Sequence, residues 1–110
     1  MTMLAAVALA AASDEPARKA LVARCAGDGD FELRSAALIA SARLPEAQAV
    51  PQARAAAGDA VLGVRLCAAE LLASSRNKTA AGALVEMLAV ETVLRARWRM
   101  VEMLRARSGL

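Results

Sequence analysis

Three arginines recur at a near-constant interval, Arg34, Arg65 and Arg97, and each stands six residues after an acid: Asp28, Asp59 and Glu91. The spacings of 31 and 32 residues between successive arginines make this the most regular feature of the chain. Placed on helices at about 100° per residue, Arg65 falls inside the apolar arc formed by Val61, Val64, Ala68, Leu71 and Leu72. Arg97 falls inside the arc of Val93, Ala96, Met100, Met103 and Leu104. A guanidinium on a largely buried stripe must be neutralised, because an unpaired buried charge is too costly. The chemistry these residues can do is therefore ion pairing. Each acid could serve the arginine of its own unit, that of the next, or both.

Other reactive groups are scarce. The chain has no His, which excludes a His-based dyad or triad and a Cys/His zinc site. Cys25 and Cys67 stand far apart and read as small buried apolar residues, a usage that fits a reducing, cytoplasmic setting better than a disulfide scaffold. Gly27-Asp28-Gly29-Asp30 lacks the spaced ligands and closing Glu of a calcium loop and reads as a break between helices. There is no glycine-rich phosphate loop and no nucleophile with a partnered base. Glu70 and Glu102 occupy equivalent positions in two successive units, with Ile39 as their counterpart in the first, and they point to a solvated face rather than an acid–base pair. No catalytic residue, metal site or cofactor is expected.

The elements that must position the acids and arginines are helical. Ala accounts for 30 of the 110 residues, against one Ile and three Thr, a composition that favours helix and disfavours strand. With one Phe, one Trp and no Tyr, much of the core must come from close contact between small side chains. Seven helices are expected: residues 2–12, 15–26, 30–43, 45–57, 60–74, 78–90 and 92–107. Ser13-Asp14-Glu15-Pro16 is a helix start, with a capping residue, acids at the positive end and a proline in the first turn. The first helix is apolar on most faces and is expected to be covered. Its sequence, MTMLAAVALAAAS, resembles a short signal-peptide core but has no Lys or Arg before that core. Pro51 should kink the fourth helix or split it. Short loops predict that consecutive helices pack as antiparallel neighbours, and no run is long and apolar enough to cross a membrane.

The pattern acid, four residues, apolar, Arg, two residues, small resembles the second-helix signature of HEAT repeats, particularly the short bacterial HEAT-like type. The matching residues are Asp28, Leu33, Arg34 and Ala37; Asp59, Val64, Arg65 and Ala68; and Glu91, Ala96 and Arg97. Pro45-Glu46-Ala47 and the stretch around residues 81–88 resemble first helices of such repeats. Met100 stands where the pattern wants a small residue, and the last acid is Glu. The resemblance implies an all-α, right-handed α-solenoid of about seven helices. The expected organisation is one domain: an N-terminal helix over 1–13, then helical pairs over 14–44, 45–75 and 76–107. It also implies that the acid–Arg ladder is structural rather than ligand-binding. A tetratricopeptide array has a similar period, but its Trp, Gly, Tyr and Pro signature is missing; a plain helical bundle ranks third.

The function expected from this reading is a non-enzymatic scaffold or adaptor that binds a protein or peptide on the surface of its second helices. The contact residues expected are Ile39, Glu70 and Glu102 along that surface, with Arg95, Trp98 and Arg99 at its open end. Trp98 rimmed by arginines suits a contact surface, although it could instead fold back as a cap over the fifth and sixth helices. Three pairs are about the minimum for a stable array, so homo-oligomerisation through the C-terminal helix is a further expectation. Charge supplies the alternative. Residues 1–55 carry six basic and six acidic residues, and residues 56–110 carry eight and five, which concentrates the net +3 in the second half. HEAT-like arrays in DNA-alkylation-repair proteins bind DNA by basic surfaces, so the Arg-rich last helix could serve nucleic acid. A third possibility by resemblance, a phycobilin lyase, lacks an evident catalytic group here.

Overall fold

A computed structural model describes residues 1–108. Seven helices follow one another: α1 (Met3–Ala12), α2 (Glu15–Ala26), α3 (Phe31–Ser41), α4 (Glu46–Ala56), α5 (Leu62–Ser74), α6 (Lys78–Val90) and α7 (Leu94–Ser108). The starts are set by side-chain caps. Thr2, Asp14, Asp30 and Asn77 each accept from a backbone N–H two or three residues on, satisfying donors that the first turn leaves orphaned. α5 begins differently: its capping position is Val61, and Asp59 reaches the Val61 N–H instead.

The helices pack as antiparallel pairs α2–α3, α4–α5 and α6–α7, and the second members α3, α5 and α7 lie side by side. The resulting body measures 36 × 26 × 18 Å. α1 packs on both α2 and α3 and thereby fills the place that a preceding second helix would take beside α3. The core is small-residue packing around a few large side chains. Val64, Ala68, Ala69 and Leu72 of α5 are wholly buried against Ala80 and Leu84 of α6 and Met100 of α7. A second cluster joins Ala6 and Ala10 of α1 to Val22, Cys25, Leu33, Ala36 and Ala37.

Three expectations need correction. α1 is not covered on most faces: it buries Ala6 and Ala10 but leaves Leu4 and Leu9 exposed, because one helix can lay only one stripe against α2 and α3. Pro51 does not split α4, which runs unbroken from Glu46 to Ala56; it sits on the exposed side and removes a single intrahelical donor. α7 starts at Leu94 rather than Thr92, because Thr92 and Val93 belong to the turn that Glu91 holds. No described helix is long and apolar enough to cross a membrane.

Candidate functional site

The acids and arginines form a directional ladder. Arg34 Nε and Nη2 donate to the Asp59 carboxylate at 2.8 and 3.1 Å, and its Nη1 donates to the carbonyls of Asp28 and Gly29 at 3.0 Å each. Arg65 repeats this geometry one pair further on. Its Nε and Nη2 donate to Glu91 at 2.9 and 3.0 Å, and its Nη1 to the carbonyls of Asp59 and Ala60 at 3.0 and 3.2 Å. Each arginine thus takes the acid of the following pair through a bidentate fork. It holds the turn of its own pair through backbone oxygens. The five donors of guanidinium suit this double task, and the single ammonium of Lys would not.

The carboxylates are equally committed. Asp59 also accepts from the Val61 N–H at 2.9 Å, and Glu91 accepts from Thr92 and Val93, both at 3.1 Å. The acid therefore opens its own second helix while pairing with the preceding one. The hydrogen bonds from Arg34 and Arg65 hold both carboxyls below the ordinary carboxylate range, against the opposing effect of burial. At the two ends the ladder is incomplete. Asp28 accepts from the Asp30 N–H through its carboxylate and makes no ion pair among the described residues, while its carbonyl accepts from Arg34. Arg97 donates through Nη1 to the carbonyls of Leu88 and Glu91 at 2.7 and 2.9 Å and makes no ion pair among the described residues. The pairing of Glu91 with Arg97 expected as one option is thus a contact to the Glu91 backbone, its carboxylate being held by Arg65.

The outer surface of α3, α5 and α7 presents Ile39, Glu70 and Glu102 at the same register, all exposed. Between α3 and α5 an open groove of about 330 Å³ is lined by Leu38, Ile39, Ala42, Cys67, Glu70 and Leu71, with Ser74 at its end. Cys67 reaches Ser35 of α3, and burial outweighs that contact in raising its thiol above the ordinary range. The same position between α5 and α7 is bridged instead: Arg99, the counterpart of Cys67, donates to Glu70 at 2.8 Å across two half-exposed side chains. Arg99 is therefore not part of the open end, as expected, but faces back toward α5. Arg95 is exposed on α7. Trp98 is 61% exposed and does not cap α5 and α6.

Two arginines that the repeat pattern did not single out hold helix ends. Arg18 donates to the carbonyls of Ala10, Ser13 and Arg43, tying the end of α1 to the end of α3. Arg107 donates to carbonyls of Leu72 and Ala73 in the last turn of α5 and of Ser75 and Asn77 beyond it. Neither carries an acid six residues ahead of it, so the acid–Arg pattern could not reveal them. The available signal was that Ser13 and Ser75, not Gly, follow α1 and α5, which leaves terminal carbonyls in need of donors. Of the five arginines in α7, Arg97, Arg99 and Arg107 are thereby engaged within the chain, which leaves Arg95 and Arg105 as its free cations among the described contacts.

Comparison with known proteins agrees with this geometry. Residues 18–105 match the family described as HEAT repeats, a span that runs from within α2 to within α7 and holds both rungs of the ladder. No curated protein and no solved structure matches the chain. The match over most of the length, the stacked second helices and the arginines that bind forward to the next pair's acid place the chain in the HEAT-repeat family.

Proposed function

We propose that this protein is a non-enzymatic scaffold or adaptor module that binds a protein or peptide partner along the surface of α3, α5 and α7. The observation that carries the reading is the groove beside Ile39, whose 42% exposed side chain stands on an apolar floor of Leu38, Ala42 and Leu71 and is rimmed by Glu70 and Ser74. An exposed apolar strip with a polar rim, on a rigid array of helices, suits an amphipathic helix or an extended segment. Glu102 would add an acidic group that selects for basic residues in the partner, while Glu70 is already paired with Arg99. The nucleic-acid alternative loses ground on the division of the arginines, because most of the cationic groups of α7 already serve carbonyls or Glu70.

The test is quantitative affinity purification with mass spectrometry, using the full chain and its Ile39→Asp variant, with light scattering to follow mass. The expected result is a defined set of proteins retained by the parent and depleted by Ile39→Asp at unchanged melting temperature. Equal retention by both chains would remove the groove from the reading.

A further inference from the structure

The two rungs define what a second helix offers to the pair that follows. In α3 these next-facing residues are Arg34 and Leu38; in α5 they are Arg65 and Ala69; in α7 they are Arg97 and Val101. Leu38 and Ala69 are 4% and 0% exposed because the following second helix covers them, and both arginines hold that helix's acid. On α7 the same register is uncovered. Val101 is only partly buried, the neighbouring Leu94 and Trp98 are 70% and 61% exposed, and the Nε and Nη2 edge of Arg97 has no carboxylate among the described residues. The Arg97 Nη1 already holds its own turn through Leu88 and Glu91, as Arg34 and Arg65 do through theirs.

We infer that the exposed flank of α7 is a docking site for a partner polypeptide that presents a helical pair with a carboxylate three residues before its second helix, the carboxylate pairing with Arg97 and the partner helices covering Leu94, Trp98 and Val101. This deepens the proposed function and rests on it, since it gives the chemistry of one partner of an interaction module. The register of the carboxylate follows from the two rungs: Asp59 stands three residues before Leu62 and Glu91 three before Leu94. Charge complementarity and continuity with the α3–α5 and α5–α7 contacts argue for this occupant. A second copy is a poorer fit. Its own acid at this register, Asp28, lies on the side of α3 where α1 already packs, and α7 against α7 would set Arg95 and Arg97 against their own counterparts.

Trp98 is the chain's one tryptophan and sits on the flank, so its emission reports coverage. The probe is a synthetic helical hairpin with the sequence of residues 45–75, which contains Asp59 at the required register and no Trp. Circular dichroism follows the hairpin through the titration, and helix gained on adding the chain counts as binding together with the emission shift. Added to the full chain, it is expected to blue-shift Trp98 emission saturably, with the Asp59→Asn hairpin or the Arg97→Gln chain binding more than about tenfold more weakly. The Arg97→Glu chain with an Asp59→Arg hairpin should recover binding. The absence of both an emission shift and a gain of helix up to millimolar hairpin, or equal binding by the Asp59→Asn hairpin, overturns the inference. A shift that grows with chain concentration alone, with a doubled mass in light scattering, overturns it in favour of self-association. A missing Trp98 response together with partners that Ile39→Asp depletes defeats this inference alone and leaves the groove standing.

Discussion

The two ends of the array share a register and differ in finish. At the N-terminal end α1 lies on α3 through Ala6 and Ala10, which are 2% and 0% exposed, and Arg18 fastens its last turn to the carbonyls of Ala10, Ser13 and Arg43. At the C-terminal end of the described chain α7 shows Leu94 and Trp98 to solvent, with Arg97 holding only its own turn. Alanine lets a helix approach closely and cover what lies beneath; a Leu and a Trp on the outermost helix have nothing to approach. The difference teaches that the flank of α3 is covered by a complementary small surface plus donors for the helix ends, with α1 in turn showing Leu4 and Leu9 to solvent, whereas no described residue covers the flank of α7.

The largest effect should come from breaking an inner rung. Glu91 is 6% exposed and serves Arg65 and two backbone N–H groups, so Glu91→Ala strands a guanidinium and uncaps α7. A loss of about 3 kcal/mol in urea unfolding is expected. Arg97→Gln, which removes only hydrogen bonds to two carbonyls at the open end, should cost about 1 kcal/mol in the same assay. Equal losses would erase the distinction between inner and terminal arginines.

Next comes the closed end. Ala10 has no room for a larger side chain between α1 and α3, so Ala10→Met should cost about 2 kcal/mol by overpacking. Hydrogen exchange should show α1 opening first while α5 keeps its protection. Uniform loss of protection would mean that α1 is part of the cooperative core rather than a lid on its edge.

Acid should weaken the rungs. Asp59 and Glu91 titrate below the ordinary carboxylate range in the folded chain, so the unfolded chain binds more protons there. Their contribution is present in full above the unfolded values and is lost as pH falls from about 5 through the folded-state values. Urea midpoints between pH 7 and pH 3 should fall more steeply for the parent than for an Asp59→Asn, Glu91→Gln double variant. The smallest change is expected at the open end, where Trp98→Ala should shift stability by less than about 0.5 kcal/mol while abolishing the emission reporter. A large drop in melting temperature would show that Trp98 closes this end after all.

Much of the ladder was legible because periodicity survives in a single sequence. The interval between Arg34, Arg65 and Arg97, with an acid six residues ahead of each, needed only helical geometry and the cost of a buried charge to point to ion pairs, which Arg34 and Arg65 make. Partner choice was not legible. Asp28, Asp59 and Glu91 are each six residues from one arginine, and Asp59 and Glu91 are 25 and 26 residues from the other. Sequence distance favours the near arginine, yet the near one spends its Nη1 on the backbone of the turn, so its fork points forward. One helical turn sets Arg99 with Arg95 on the polar side of α7, flanked by Leu94 and Trp98, which points to the open end; the neighbouring helix supplies Glu70 and turns Arg99 toward α5 instead.

The sequence by itself determined the local and the repeated: seven helices, through alanine content, caps and breaks, and a recurring charge pair whose burial demanded a partner. Tertiary structure decided the direction of each rung, the use of α1 as a stand-in for a preceding second helix, and the capping of distant carbonyls by Arg18 and Arg107. These depend on which helix lies beside which, and a hydrogen bond between groups as far apart in the chain as Arg107 and Leu72 leaves no period behind it.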